Sequence, residues 1–491
     1  MSTPQDESGT DPAPDEHDEE QDRQLQDRDE MAKGNRSRRA VLHPVRRFEM
    51  PYSSASAQLA NPELGLTTLT LRAGAGGSYT MNVNVLDASD DRLLRAGIVL
   101  AIRNTDGRNE VYLAAPDWAP QLPVEKVAPL AGAETPPELE AVIRPFRRGA
   151  AIGPTATLTC HRTEYELRNP QQQPIAWVRS DAVHVRRGGM TTNRYREVTL
   201  TSSVALSYEA LTWLTEQLLA VGGARVPSFP TLAQRLGPPA IGATDLPKPP
   251  SWDPDSPLET YVSALLAARL RKLTLADLSY RIGEDGPEGI LRQLAALRSE
   301  LRGMSGYLDA NWVSSLIPGL RWLTDVPVAD AVRQLDSDAY WHLLDDLVTA
   351  TRAPRLGSHS LDPTGRGMRT LAKMALKELK DSAGRLTHTS SDADWRTARD
   401  RSAHLVDVCS ILPQTKAGQR LSKRAERVYA ALGECLLVER EAALAAISGL
   451  SPEDAFAAGR DYEQQLVGQL EARTEFLANW PEWVKELDWG D

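Results

Sequence analysis

The stretch "LDASDDRLLRAGIVLAIR", residues 86–103, decides how the chain is read. Its first half is a charged turn with a short apolar step, and its second half is a β-strand run that ends on Arg103. Similar short runs with period-two alternation lie on both sides of it. They are "LTTLTLRA", "YTMNVNVL", "NEVYLAA", "TATLTCHRTEYEL", "IAWVRSDAVHVRR" and "YREVTLTS", each bounded by Gly, Pro, Asn or Asp. Repeated short alternating runs predict an antiparallel sheet closed into a sandwich or barrel. "SYEALTWLTEQLLAVGG" then has helical spacing and a Gly stop.

Past residue 237 the pattern changes. Residues 238–257 are rich in Pro and without periodicity, which predicts a linker. Seven segments with three-four apolar spacing follow, from "LETYVSALLAARLRKLTLADL" to "EDAFAAGRDYEQQLVGQLEARTEFLANW". Such segments with short connections predict helical bundles. At 491 residues the chain is long enough for more than one core. The expected division is an acidic disordered tail over 1–40, a strand-rich domain over 41–237, the linker over 238–257, and a helical domain over 258–491.

Charge is unevenly spread. Residues 1–30 hold 12 acidic and 2 basic side chains, residues 31–250 hold 19 and 25, and residues 251–491 hold 36 and 29. The tail therefore carries nearly all of the net charge of −11. A segment with few apolar residues and one sign of charge cannot offset its ordering entropy by burial. Only the middle third has an overall field that attracts polyanions. No run of about 18 apolar residues occurs, so no membrane partner is expected and a cytoplasmic location is. Cys160, Cys409 and Cys435 are far apart and form no CxxC pair, which predicts buried thiols. Nucleotide loops, HExxH, EF-hand and GxSxG patterns are absent from the sequence. The "GAGGS" of residues 74–78 reads as a loop, and the basic "KGNRSRR" as a solvated tail, so nucleic acid is not an expected partner.

Four strings, "DDRLLRAGIVLAIR", "PPELEAVIRPFRRG", "IAWVRSDAVHVRRGG" and "LLAVGGARVPSFPTLAQRLG", resemble the CYTH family, the triphosphate-tunnel fold. Four more, "EGILRQLAALRSELR", "WRTARDRSAHLVDVCSIL", "LSKRAERVYAALGE" and "AFAAGRDYEQQLVGQLEARTEFLANW", resemble the helical CHAD domain that binds polyphosphate. The resemblance implies an α+β chain in two domains: an antiparallel barrel of about eight strands with one or two helices, then a helical bundle. It also implies which residues should hold phosphate and metal, and many of those are replaced. The family's Glu-x-Glu-x-Lys strand reads "HPVRR", with His43 and Val45 at the acidic positions and Arg47 keeping the positive charge. Ala101 stands for one of two arginines while Arg103 remains, and Ala114 stands at a basic position. Thr159 and His161 fall where arginines are expected, and Arg162 is kept. In "REVTLT" Glu197 survives beside Arg196, while Thr199 and Thr201 replace acids. Divalent cations need several oxygen ligands, so Glu197 alone predicts no metal site, no catalytic residues and no enzyme. Mg²⁺ is expected only if a divergent triphosphatase is hidden here. Arg47, Arg103, His161, Arg162 and Arg196 are the candidate anion-binding residues, and pairing with Asp87, Asp181 or Glu197 is their structural alternative.

In the helical half the family's histidines become Arg292 or Leu291, Arg396 and Cys435, and Glu300 and Asp400 enter the basic stripe. Arg399 and Arg401 are kept, and His404 is the only histidine in the four CHAD-like strings. The expected function is a non-catalytic binding or scaffold protein of this family with a phosphorylated, polyanionic or protein partner. The alternatives are a polyphosphate-binding module of granules and a divergent metal-dependent inorganic triphosphatase.

Overall fold

The computed structural model describes residues 45–72, 77–130, 135–413, 415–436 and 449–487. The acidic tail of residues 1–40, His43 and most of the "GAGGS" loop lie outside these residues. The strands are β1 (Val45–Met50), β2 (Thr68–Leu71), β3 (Ser78–Asp87), β4 (Val99–Thr105), β5 (Arg108–Ala114), β6 (Lys126–Pro129), β7 (Gly153–Arg168), β8 (Pro174–Arg187), β9 (Met190–Ser202) and β10 (Ala224–Val226). Two hairpins follow directly from their turn residues. Asp106 (φ 52°) and Gly107 (φ 80°) join β4 to β5, and Gly188 (φ 53°) and Gly189 (φ 81°) join β8 to β9. Two successive positive φ values match the right-handed twist of the flanking strands.

Helices α1 (Arg92–Arg95), α2 (Pro137–Arg147), α3 (Tyr208–Ala220) and α4 (Leu232–Leu236) lie among or just after the strands. The remainder is helical: α5 (Leu258–Arg281), α6 (Glu288–Gly303), α7 (Ala310–Thr324), α8 (Val328–Gln334), α9 (Asp338–Arg352), α10 (Thr364–Ala383), α11 (Asp392–Ser410), α12 (Lys416–Glu434) and α13 (Pro452–Glu486). Side-chain caps fix several starts. Ser391 and Asp394 form a reciprocal capping box at the head of α11. The chain is thus α+β, with a large antiparallel sheet followed by a helical region, as expected.

The expected barrel is not borne out. The ten strands hydrogen-bond in the order β10-β1-β9-β8-β7-β3-β4-β5-β6, with β2 on β7, and the end strands β10 and β6 are not paired with each other. Closure requires a shear that matches strand number and tilt, and β6 and β10 are only 4 and 3 residues long.

The described residues form two compact units, one from those up to Tyr79 with His161–Val183 and Tyr195–Phe229, the other from those of Thr80–Cys160 with His184–Arg194 and those from Pro230 onward. In the first, Phe48, Met50, Val198 and Leu200 pack with Leu211, Leu214 and Leu218 of α3. In the second, one connected core takes in Leu93, Leu100, Leu113, Ile143 and Phe146 together with Leu258, Leu294, Trp341, Trp395 and Phe476. Buried Trp118 donates its indole N–H to Ala96 O at 2.8 Å, satisfying the polar end of an apolar body. Residues 238–257 carry no helix or strand, and Ala240, Asp245 and Leu246 within them are buried. All three cysteines are buried thiols outside any disulfide, as expected. Among the described residues no helix is long and apolar enough to cross a membrane.

Candidate functional site

Strand alternation sorts the first unit's candidates by face. Phe48 and Met50 turn into the core, so Arg47 and Glu49 take the other face of β1. Arg47 lies opposite Thr199 and Glu49 opposite Glu197. Directly opposed residues share a face, so two carboxylates meet across β1 and β9 where the family-like reading left Glu197 alone. Glu49 escaped that reading because the expected motif ends at Arg47. Arg196 is on the opposite face from Glu197 and donates to Ser180 Oγ at 3.0 Å and Ser54 O at 3.1 Å. Arg47 donates to Pro227 O at 3.4 Å.

Arg162 on β7 holds Asp181 on β8 through both carboxylate oxygens, at 2.6 and 3.0 Å, and donates to the Tyr79 hydroxyl at 3.2 Å. Burial opposes its charge, but the hydrogen bonds and attraction from Asp181 overcome this and raise its pKa. Its neighbour His161 is exposed. Arg72 pairs with Glu164 at 2.7 Å. A cavity of about 400 Å³ opens beside this pair, lined by Arg72, Glu164, Trp177, Arg179, Thr199 and Thr201. Thr199 and Thr201, at positions where the CYTH resemblance expects acids, therefore line the concavity themselves.

This donor set does not fit Mg²⁺. Glu49 and Glu197 supply two carboxylates, and threonine hydroxyls are weak ligands for a hard cation. No group of three His, Cys, Asp or Glu among the described residues is placed to hold a metal.

In the second unit, Arg103 lays its guanidinium over the Tyr112 ring at 3.4 Å from the centroid. Ala101 lies opposite both Val85 and Tyr112 and is buried. The position where the CYTH resemblance expects a second arginine is thus packed over, and Arg103 is engaged by an aromatic face. The "DDRLLR" string makes local structure. Asp87 accepts from the backbone N–H groups of Ala88, Leu93 and Leu94 at 2.7, 2.9 and 2.9 Å, closing the start of α1. Burial pushes its carboxyl up to about 6, against those three hydrogen bonds. Asp90 pairs with Arg92 at 3.0 Å and Arg95 at 2.9 Å.

The helices correct one expectation and add a feature. Glu300 does not interrupt a basic surface, because it is buried and held by Arg269 of α5 at 2.6 and 3.0 Å. Arg292 and Arg396 are exposed, Leu291 is half-buried, and Cys435 is buried. Arg399 lies over Tyr429 at 5.5 Å, and Arg401 pairs with Glu378 at 2.9 Å. Half-buried His404 has its pKa lowered by burial, with Arg302 and Arg401 adding to this against Glu378 and Asp407.

The feature missed in sequence is α10. Its cations Arg366, Arg369, Lys373, Lys377 and Lys380 fall within an arc of about 80° and run along about 21 Å of helix. Its acids, Glu378 and Asp381, lie outside that arc. All but half-buried Lys380 are exposed. Arg366, Arg369 and Lys377 make no ion pair among the described residues. A helical wheel of residues 364–383 carries this signal, but segment totals of charge hide it.

No family model and no curated protein matches this sequence. Among solved structures, the chain is similar to a Bacillus halodurans protein described as a "putative adenylate cyclase". The alignment has 15% identity, covers 34% of this chain and 95% of that one, and has a TM-score of 0.21.

Proposed function

We propose that this chain is a non-catalytic binding protein of the CYTH and CHAD kind, acting in the cytoplasm on a phosphorylated or polyanionic ligand. The observation that carries the non-catalytic part of this reading is the commitment of Arg162, one of the retained strand arginines. Arg162 spends its fork on Asp181, so it is not presented to a phosphoryl group. Phosphoryl transfer needs metal and several fixed cations around the transition state. Where the CYTH resemblance expects metal-binding acids this chain has Thr199 and Thr201, and Arg103 is stacked on Tyr112. Tripolyphosphate hydrolysis with Mg²⁺ tests this. No turnover above a protein-free blank is expected, whereas turnover abolished by Glu197→Gln would establish a divergent triphosphatase instead.

A specific observation favours a polyphosphate-binding module as the second reading. The α10 stripe is a linear array of exposed cations, complementary to a linear polyanion, inside a helical half whose net charge is negative. Retardation of long-chain polyphosphate at moderate salt, lost when the stripe is neutralised, supports it. Retention of binding in that variant places the ligand elsewhere.

A further inference from the structure

Residues 237–257 lack regular structure yet are partly buried, so something other than a backbone ladder must hold them. Asp245, 4% exposed, sits within a ring of guanidiniums. Its carboxylate takes Arg95 of α1 at 3.0 Å, Arg352 of α9 at 2.5 Å, and Arg148 just past α2. Arg148 also donates to Asp345 of α9 at 2.5 Å. Two residues upstream of Asp245, Ala243 O accepts from Arg95 at 2.6 Å and Arg352 at 3.2 Å. Arg187 of β8 donates to Pro238 O at 3.2 Å and pairs with buried Asp91. Arginines from four separate parts of the second unit therefore converge on one strap.

The backbone supplies an independent sign. Arg148 has φ 53° and ψ −121° and is 2% exposed. A long side chain persists in that conformation only where its surroundings over-determine it, and such residues collect at clamps and switches.

The geometry points to an ionic latch, in which the charge of Asp245 holds residues 238–246 shut across α1, the end of α2 and α9. Losing the carboxylate leaves Arg95 and Arg148 buried without their shared counter-charge, which favours the open strap. Opening would free the backbone beside buried Ala240, so that thermolysin, which cuts before apolar residues, reaches the Ala240–Ile241 bond.

The test is the thermolysin cleavage rate of the full chain at that bond, four residues away from the side chain replaced. Asp245→Asn, nearly isosteric but uncharged, is expected to raise it on the order of a hundredfold while cleavage within α5 to α12 stays at the wild-type rate. Asp245→Glu, which keeps the charge, is expected to restore much of the protection. Arg352→Gln, on the more exposed partner, is expected to give about fivefold. A folded Asp245→Asn protein cut within about twofold of wild type overturns the latch. If that variant does not fold, Arg352→Gln decides, and an unchanged strap rate overturns the latch equally.

Discussion

Neutralising two cations of the α10 stripe, Arg369→Gln with Lys377→Gln, should weaken polyphosphate binding in a way that salt reveals. Both side chains are exposed, and neither is in an ion pair among the described residues, so removing them leaves no buried charge behind. If all five cations engage a flexible polyanion, counterion release gives a slope of log affinity against log salt of about −3.5; three engaged cations give about −2. Between about 50 and 200 mM salt, wild-type affinity should then fall about a hundredfold and the variant's about twentyfold. Fluorescence anisotropy of labelled long-chain polyphosphate across that range measures both slopes. Arg333→Gln is the control, since exposed Arg333 lies on α8 and, among the described residues, pairs only with Asp330 one turn away. Equal slopes for wild type and the double variant would refute the stripe as the binding face, as would an equal loss in the control.

Two other outcomes follow from packing and burial. A Cβ at Gly303 would sit 2.4 Å from Asp407 O and 2.7 Å from its carbonyl carbon, where α6 crosses α11, so Gly303→Ala should destabilise the protein by roughly 1–3 kcal/mol in chemical denaturation; a midpoint equal to wild type would show that the helices can part at no cost. Asp87 has a folded pKa of about 6, above its ordinary 3.8. The folded state binds that proton more tightly, so the group's stabilising contribution is complete below about pH 4 and is lost as pH rises through about 6. Asp87→Asn should flatten that part of the profile of melting temperature against pH, and an unchanged slope would count against a buried protonated carboxyl.

Local order was legible because it is written in local periods. The alternation in "IAWVRSDAVHVRR" marks β8, and the three-four spacing in "GMRTLAKMALKELKDSAGRL" marks α10. Short β6 and β10 escaped because 3 or 4 residues carry too little pattern. Whether the sheet closes depends on pairing between distant edges, which no local period encodes. Partnership across sequence was equally hidden. Arg148 meets Asp245 and Asp345 across 97 and 197 residues, and Glu300 looked like an interruption until Arg269 of the preceding helix appeared beside it. Against the CYTH pattern the losses in "HPVRR" fall at His43 and Val45, while Glu49 lies two residues past the end of that motif.

The core that joins Leu100 and Phe146 to Trp341 and Trp395 has a consequence for inheritance. A gene break placed in the Pro-rich stretch would divide one interior between two products, each displaying apolar surface it cannot cover. The strands β4 and β5 and the helices beyond residue 258 are therefore bound to be transmitted together, and recombination that swaps one without the other should yield insoluble chains.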